Sequence, residues 1–375
     1  MRAVVSVFKA DNYDDIYSAV EKHFELHDIK SELNADMHVV IKPNLVTDKD
    51  SVFSVTTNPA FVFAVIKYLN GIGISNITVA DCPGGALLLF SKMAEVYEKC
   101  GYGFLSDCAQ LNCNFESSDV VCDENCREKS FNIINVISDA DYIINLPKLK
   151  THNLTCITAG VKNLFGCIPG LRKPEFHAKY PNTEDFSTML VELAATVKPN
   201  FTIVDAVDIM EGNGPTNGKR RHLGLTFAAR DVFALDECIV DFLSIPQNLV
   251  GTVVAAQKAG YGTRGAQFVG DTSFTLTQPI VLPESISCES TGGKLVAKLR
   301  TLKEKVSEKV LKSYPRMNEK CILCMKCVKS CPKQALSAHN GKIVLEADKC
   351  IGCFCCDECC PNGAVDIRKK VSIFK

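Results

Sequence analysis

The chain has 375 residues, which is more than one small module needs and enough for two or three domains. Hydrophobic residues make up 46% of it and charged residues 23%, a balance that excludes a wholly disordered or fibrous protein. The 42 Lys and Arg nearly cancel the 43 Asp and Glu, so the overall charge gives no reason to expect nucleic acid or an acidic membrane as a partner.

Short apolar runs alternate with helix-like stretches over residues 1–205, and this alternation predicts an α/β body with a mainly parallel, layered sheet. The predicted strands are residues 4–7, 39–42, 77–80, 142–146 and 201–206. A helix is predicted to begin at Asn58-Pro59, because Asn caps helices and Pro suits the first helical position, and to end at Asn70-Gly71. Thr183–Val197 is a second predicted helix.

Four of the predicted strands are followed by polar segments, which are residues 42–44, 81–85, 147–152 and 208–215. Ligands of open α/β sheets bind at the carboxyl ends of the strands, so we expect these loops to share one cleft.

Apolar residues at three- and four-residue spacing over residues 294–312 predict an amphipathic helix between two domains. The predicted organisation is an α/β body (1–290), a linker helix (291–315) and a small α+β ferredoxin-like domain (316–375). Within the last domain, Asn340-Gly341 is a turn signal between two apolar strands.

Cysteine is the unusual component, because ten of the 20 cysteines lie between Cys321 and Cys360. Two runs with the spacing C-x2-C-x2-C-x3-C-P, offset by 29 residues, match the bacterial ferredoxin pattern, in which the fourth Cys of each run binds the other cluster. The sequence therefore predicts two 4Fe-4S clusters. The predicted ligand sets are Cys321, Cys324, Cys327 and Cys360 for one cluster, and Cys350, Cys353, Cys356 and Cys331 for the other.

Other interpretations of the cysteines remain open. Zinc is the alternative metal, although zinc sites favour C-x2-C pairs separated by longer gaps. Cys355 and Cys359 break the pattern, either as packed thiols or through an exchange of ligands within the second run. A third metal site or ordinary thiols would account for Cys108, Cys113, Cys122 and Cys126.

The N-terminal segment has an acidic cluster where the apolar core of a secretory signal would continue, and no run approaches the roughly 18 apolar residues of a membrane span. We therefore expect a cytoplasmic protein without a membrane span. In a reducing compartment, clustered thiols are better explained as metal ligands than as disulfides.

Five motifs carry a family resemblance that covers most of residues 1–280. They are KPNL (42–45), TTNP (56–59), NLPKLKTH (145–152), GVKNLFG (160–166) and VDAVDIMEGNGP (204–215). With these motifs the chain resembles the family called domain of unknown function 362, many members of which end in a pair of 4Fe-4S motifs. The resemblance implies a fold and a redox association without an agreed reaction. It also suggests a distant relationship to the nickel-pincer lactate racemases, with no transferable ligand motif.

The motif residues are cationic, titratable or amide side chains, a mixture that suits a small anion. The candidate substrate-binding residues are Lys42, Asn44, Asp81, Lys150, Lys162, Asn163 and Glu211. The candidate catalytic residues are Lys148, His152 and His177, and imidazole in particular titrates near physiological pH. The alternative is that these side chains are solvated loop residues, capping groups or parts of tight turns.

Three functions are compatible with this sequence. The first is a ferredoxin-dependent oxidoreductase that acts on an anionic small molecule and exchanges electrons with a redox partner protein. The second is an electron-transfer adaptor whose body docks a partner enzyme, and the third is a non-redox isomerase-like body with clusters as a sensor. A cationic pocket close to a cluster would favour the first function, and a flat, exposed cluster face would favour the second. A wide separation between the clusters and the pocket would favour the third. No flavin or nicotinamide fingerprint is evident.

Overall fold

The structure is a computed structural model that describes residues 2–48, 50–84, 92–262, 265–286 and 313–369. We refer to residues 2–286 as the body and to residues 313–369 as the C-terminal unit. The helix predicted over residues 294–312 lies outside the described residues. Ser313–Met317 pairs within the C-terminal unit, so the described part of this unit begins before the predicted boundary at residue 316.

The body is built around one mixed sheet. Its strands and those of a separate hairpin are β1 (Val4–Lys9), β2 (Val39–Pro43), β3 (Ile77–Val79), β4 (Gln110–Leu111), β5 (Ser117–Val121), β6 (Ser130–Ile134), β7 (Tyr142–Leu146), β8 (Lys148–His152), β9 (Cys156–Thr158), β10 (Phe201–Glu211), β11 (Lys219–Ala229) and β12 (Gln267–Gly270). The order in the sheet is β12-β1-β11-β10-β7-β2-β3-β4, with β8 attached to β10 and to β9, and β5 and β6 form the hairpin.

Most strand pairs of this sheet are parallel, which confirms the predicted α/β body with a mainly parallel sheet. The exceptions are the pairs that β11 makes with β1 and β10, and the β8–β9 pair, all of which are antiparallel. The parallel strands β10, β7, β2, β3 and β4 end at the same edge, and this edge carries the polar segments named above.

Helices cover the sheet and confirm both predicted helices. They are α1 (Ile16–Leu26), α2 (Pro59–Gly71), α3 (Met93–Lys99), α4 (Asn135–Ser138), α5 (Gly160–Asn163), α6 (Lys173–Lys179), α7 (Thr183–Val197), α8 (Val232–Phe242) and α9 (Gly251–Lys258). The Asn58 side chain accepts a hydrogen bond from Ala60 N and caps α2, and the Asn182 side chain caps α7 in the same way. None of the described helices is long and apolar enough to cross a membrane.

The central strands β2, β3 and β7 are buried on both faces. Successive side chains of a strand point to opposite faces. Val39 and Ile41 therefore pack in a core with α1 and α2, whereas Val40 and Ile143 pack in a core with α7. This three-layer packing holds the strand ends, and the polar residues that follow them, in fixed positions.

Two segments that the sequence predicts as loops are strands in the structure. Residues 148–152 form β8, and the chain after Asp205 continues in β10 as far as Glu211, where it pairs with β11. Polar composition favours a loop, but Lys148 lies opposite Asp205 on the adjacent strand, and such pairing allows charged residues to be buried in a sheet.

The C-terminal unit consists of two small antiparallel sheets and two short helices. Its elements are β13 (Ser313–Met317), α10 (Lys326–Lys329), β14 (Leu336–His339), β15 (Lys342–Leu345), α11 (Cys355–Glu358) and β16 (Val365–Lys369). β13 pairs with β16, and β14 with β15. The turn between β14 and β15 lies at Asn340-Gly341, as predicted, with φ angles of 48° and 71°.

The 29-residue repeat of the sequence is also a repeat of backbone conformation. Met325 and Phe354, one repeat apart, have φ angles of 64° and 61°, and each precedes a short helix. Gln334 and Gly363 are likewise one repeat apart and have φ angles of 50° and 59°. The two halves of the unit are therefore structurally equivalent around their cysteines.

α11 anchors the C-terminal unit on the body through Asp357, which is 1% exposed. Its carboxylate accepts hydrogen bonds from Asn153 Nδ2 (3.0 Å) and from Asn217 Nδ2, and its carbonyl accepts one from Thr216 Oγ1 (3.3 Å). Gly363 packs on Asn217 so closely that a Cβ atom would lie 2.5 Å from Asn217 Oδ1. The interface thus depends on a buried carboxylate held by amides of the body.

Replacing Asp357 with Ala should weaken this interface by about 1 to 3 kcal/mol, because the amides of the buried Asn153 and the part-buried Asn217 lose their acceptor. We expect faster hydrogen exchange across α11 in Asp357→Ala. Asp348→Ala, at an exposed position of the same unit, serves as the control and should leave the exchange unchanged. Equal exchange rates in the two variants would contradict the anchoring role.

Candidate functional site

A cavity of about 90 Å³ lies between the body and the C-terminal unit, at the carboxyl ends of β2 and β3. One water needs roughly 10 to 15 Å³ by the same measure, so the cavity has room for several waters or one small molecule. The predicted residues that line it are Asn44, Asp81, Lys150, His152, Lys162, Asn163 and His177. The remaining three candidates, Lys42, Lys148 and Glu211, do not line it.

A chain of buried side-chain amides organises the body side of the cavity. Asn145 Nδ2 donates to Gly160 O (3.1 Å), Asn163 Nδ2 to Asn145 Oδ1 (2.7 Å), and Asn44 Nδ2 to Asn163 Oδ1 (2.8 Å). Lys150 Nζ then donates to Asn44 Oδ1 (2.7 Å). Each amide fixes the orientation of the next, so the oxygen of Asn44 faces Lys150.

Lys42 lies behind the cavity, where it forms a buried ion pair with Asp81. Lys42 Nζ is 2.6 Å from Asp81 Oδ1, and the other carboxylate oxygen accepts from Leu45 N (2.6 Å). A Cβ atom on Gly166 would lie 1.9 Å from Asp81 Oδ1, so the last glycine of the GVKNLFG motif is required by close packing on this pair. Lys42 therefore compensates Asp81 and does not face a ligand.

Lys148 and Glu211 are also held in pairs away from the cavity. Lys148 Nζ is 2.8 Å from Asp205 Oδ2 and donates to Tyr13 Oη (2.7 Å). Glu211 Oε2 is 3.0 Å from Arg221 Nη1. Lys148 lies on β8 and Glu211 lies on β10. Because both side chains are held in ion pairs away from the cavity, the structure supports neither the catalytic role suggested for Lys148 nor the binding role suggested for Glu211.

His152 faces the cavity in a defined protonation state. Its Nδ1 accepts a hydrogen bond from Leu154 N (3.0 Å), which places the proton of the neutral ring on Nε2. Nε2 is 3.0 Å from Glu358 Oε1, although the N–H is not well aligned and this oxygen lacks a well-formed hydrogen bond. Burial and the nearby Lys162 lower the pKa of His152 to about 4.

His177 is packed between aromatic rings. It stacks on Phe186 with a centroid distance of 4.3 Å and lies edge-on to Phe165 at 5.8 Å. Burial lowers the pKa of His177 to about 3, so it is neutral at neutral pH. Both candidate histidines therefore contribute neutral rings, and neither acts as a cation in the cavity.

The lysines that line the cavity are Lys150, Lys162, Lys173 and Lys326. Lys162 Nζ lies 5.5 Å and Lys173 Nζ 5.6 Å from the centroid of the Phe165 ring, and Lys173 also donates to Cys82 O. Burial lowers the pKa of both Lys162 and Lys173.

The start of α5, which carries Lys162, is fixed by Asp236. The carboxylate of Asp236 accepts from Gly160 N (2.7 Å) and Val161 N (3.0 Å). No sequence motif identifies Lys173, which lies beyond the five motifs of the family resemblance.

Each predicted set of cluster ligands lines a small cavity of its own, of about 20 Å³. One cavity is lined by Cys321, Cys324, Cys327 and Cys360, and the other by Cys331, Cys350, Cys353 and Cys356 together with Cys355. Ala335 N donates to Cys331 Sγ (3.1 Å) and Ala364 N donates to Cys360 Sγ (3.2 Å). Such N–H groups are suited to thiolate ligands of an iron-sulfur cluster.

The thiols do not fit a single ion. Within the described ranges, no three His, Cys, Asp or Glu side chains converge tightly enough to hold one metal ion. Four thiols around a cavity suit a multi-iron cluster better than a tetrahedral zinc site. Among the described residues, the four cysteines between residues 108 and 126 likewise do not converge on a metal site.

The C-terminal unit closes the central cavity with equivalent residues from its two halves. Cys355 and Cys359 line it from the second half, and Lys326 and Ser330, exactly one repeat earlier, line it from the first. Glu358 lies between the two cysteines and adds the one carboxylate of this wall. Sequence patterns within either domain could not identify this wall, because it forms only when the two domains pack together.

Comparison with known proteins gives two family matches. Residues 39–241 match the family described as domain of unknown function 362, and residues 314–361 match a 4Fe-4S dicluster domain. A thylakoid-associated protein of Synechocystis sp. is 34% identical over 246 residues, which cover 64% of this chain and 72% of that protein.

One solved structure has a limited similarity in fold, the lactate racemase apoprotein from Thermoanaerobacterium thermosaccharolyticum. The TM-score is 0.41 at 11% sequence identity, over 65% of this chain. The chain spans 58% of the length of that protein. This similarity is too low to bear on the chemistry of the cavity.

The buried pair of Lys42 should be a major contributor to stability. We expect Lys42→Met to lower the free energy of unfolding by about 3 to 5 kcal/mol, because Asp81 would remain buried without a counter-ion. Lys99→Met is the matched control, since the Lys99–Asp48 pair is at the surface and should contribute less than about 1 kcal/mol. Urea unfolding of both variants measures the difference, and equal losses would contradict a structural role for Lys42.

Two adjacent cysteines should differ in their effect on iron. Cys360 lines a small cavity with three other thiols, whereas Cys359 lines only the central cavity. Cys360→Ser should therefore lower the iron content of anaerobically purified protein, and Cys359→Ser should retain it. The measurement is iron per chain together with the visible charge-transfer absorption. Loss of iron in Cys359→Ser with retention in Cys360→Ser would indicate the exchanged ligand assignment.

Proposed function

The chain belongs to the domain of unknown function 362 family and carries a 4Fe-4S dicluster domain, and from this premise we propose that it is an oxidoreductase that acts on a small anion in the central cavity. The dicluster domain assigns it an iron-sulfur electron-transfer role. The cytoplasmic location expected from the sequence is part of the proposal.

The proposal includes two 4Fe-4S clusters with the two ligand sets given above. Each set gathers four cysteines around one small cavity, and each contains a thiol that accepts a backbone N–H. When bound, such clusters supply one electron at a time. Their electrons would come from, or go to, a redox partner protein.

The observation that carries the proposal is the shared wall of the central cavity. Cys356 of α11 belongs to one ligand set. Three residues close to it in sequence, Cys355, Glu358 and Cys359, line the central cavity. A molecule in this cavity therefore lies one side chain away from the cluster ligands. This closeness favours electron transfer to a bound molecule over a distant sensor role for the clusters.

The charges of the cavity favour an anion. Lys150, Lys162, Lys173 and Lys326 line it, Asp81 and Asp48 are already paired with Lys42 and Lys99, and Glu358 remains as the main opposing charge. Burial opposes ionisation of Glu358, but the nearby N–H of the neutral His152 ring and the charge of Lys162 lower its pKa, so this residue is anionic. The lysines outnumber the carboxylates that lack a lysine partner, and a small carboxylate or oxyanion would balance this positive excess.

The residues of this chain would divide the work on the bound anion. Lys162 and Lys173 would hold its charge, with Phe165 between them excluding water from one side. The Nε2–H of His152 would donate a hydrogen bond to it. Enclosure between the two units would keep solvent away while electrons are transferred.

A second candidate function is an electron-transfer adaptor, which is favoured by a groove on another side of the interface. This groove of about 690 Å³ is lined by Val52 and Phe53 of the body and by Lys320 and Pro361 beside the first ligand set. Phe53 is 59% exposed, and Ile322, next to Cys321, is 63% exposed. Exposed apolar residues beside a cluster suit the docking of a partner protein.

The first test is binding of oxalate, a small dianion, to the anaerobically purified, iron-loaded protein. Lys162→Met should weaken oxalate binding about ten- to hundredfold, because a charged partner is lost from a buried site, and should leave the iron content unchanged. Lys179→Met is the control, since Lys179 is exposed and pairs with Glu128 outside the cavity. Calorimetry measures the affinities.

Electron paramagnetic resonance of the reduced protein tests the second part of the proposal. Oxalate should change the cluster signal of the unmodified protein, because the ligand would lie beside the cluster ligands. No binding of oxalate or of phosphate would contradict the anion site and favour the adaptor, and binding without any change in the signal would separate the cavity from the clusters.

A further inference from the structure

Three lysines of the described chain are almost completely buried, and they differ in their partners. Lys42, Lys148 and Lys150 are each no more than 1% exposed. Lys42 and Lys148 form ion pairs with Asp81 and Asp205 at 2.6 and 2.8 Å. Among the described residues, no carboxylate forms an ion pair with Lys150, although it lines the central cavity. A buried lysine without a counter-ion either binds an anion or loses its proton.

The hydrogen bonds of Lys150 are suited to an amine that changes its protonation state. Its Nζ donates to Asn44 Oδ1 (2.7 Å) and to Val55 O (2.6 Å), which are both neutral acceptors. A neutral amine has two N–H groups and one lone pair, so these two acceptors satisfy both N–H groups. The third position of the nitrogen is then a lone pair in the empty cavity, or an N–H for a bound anion.

The charged groups that act on Lys150 lie on four separate segments of the chain. Lys162 on α5 and Lys148 on β8 repel its positive form, whereas Glu358 on α11 and Asp81 after β3 attract it. Burial has the largest effect and the repulsion from Lys162 the next, and together they lower the pKa of Lys150 to about 7. His152, two residues along β8, is neutral at this pH.

The two histidines of the cavity are less suited to accept a proton at neutral pH. The Nδ1 of His152 already accepts a backbone N–H, and the pKa values of His152 and His177 lie at about 4 and 3. Lys173 donates to Cys82 O at the edge of the cavity. Lys150 is held by the amide chain at the carboxyl ends of the strands, where a ligand would sit.

We propose that Lys150 is the acid–base catalytic residue of the cavity, an amine that exchanges its proton when the cavity is empty and an ammonium when an anion is bound. The inference rests on the proposed function. When the bound molecule accepts an electron that originates from a one-electron carrier protein, Lys150 gives it a proton. The N–H bond of the ammonium breaks, a bond from hydrogen to the ligand forms, and the amine that remains takes a new proton from solvent.

The test is the number of protons taken up when oxalate binds. Calorimetric titrations of the iron-loaded full chain at pH 7, in two buffers with different ionisation enthalpies, give this number. A group with a pKa of about 7 is half neutral in the free protein, so the unmodified protein should take up about half a proton per oxalate. Above pH 7 the affinity should fall about tenfold per pH unit, because binding then requires protonation.

Two length-matched variants assign the proton. Lys150→Met should bind oxalate more weakly, without proton uptake and without the fall in affinity above pH 7. Lys173→Met should also bind more weakly but keep the proton uptake, because Lys150 is intact. Iron content and thermal unfolding show whether each variant is folded.

The outcomes separate this inference from the proposed function. Oxalate binding by the unmodified protein without proton uptake overturns the role of Lys150 and leaves the anion site standing. Proton uptake that persists in Lys150→Met, or disappears in Lys173→Met, assigns the proton to another group and also overturns it. No binding of oxalate or phosphate to the unmodified protein contradicts the anion site itself and removes the basis of the inference.

Discussion

The packing of one helical turn, α11, against the body is the constraint on which the rest of the structure depends. Within four residues this turn carries a candidate cluster ligand at Cys356, the buried anchor Asp357 and the cavity carboxylate Glu358. The carboxylate of Asp357 is desolvated, so it stabilises the interface only when the amides of Asn153 and Asn217 are oriented to donate hydrogen bonds to it. This turn forms part of the wall of the cavity, which it shares with the lysines of the body.

The body manages buried positive charge in two different ways. Lys42 and Lys148 are neutralised by carboxylates from adjacent strands, and they contribute to a fixed scaffold at the strand ends. Lys150, between Lys148 and His152 on the same face of β8, has only neutral acceptors. The difference matters because a compensated lysine keeps its charge over a wide pH range, whereas an uncompensated one responds to whatever enters the cavity.

Much of this arrangement can be predicted from the sequence, but its central features cannot. Capping at Asn58, the Asn340-Gly341 turn and the apolar runs of the parallel strands are local signals, and the structure has these elements where they are expected. β8 is missed because polar residues favour a loop unless a partner strand supplies the opposite charge. The distinction between Lys42 and Lys150, and the wall formed by α11, depend on contacts between segments far apart in sequence, so no local pattern contains them.

The internal repeat of the C-terminal unit has a consequence for how the two parts of the protein recognise each other. A unit with two equivalent halves has two nearly identical ways of facing a partner surface, related by a half-turn. In this chain the residue one repeat before Asp357 is Val328, and the residue one repeat before Glu358 is Lys329. Reversing the unit would set an apolar side chain against Asn153 and a cation against the lysines of the cavity. The divergence of the two halves therefore selects a single orientation, and a motif that is symmetric in its cysteines is made directional by the residues between them.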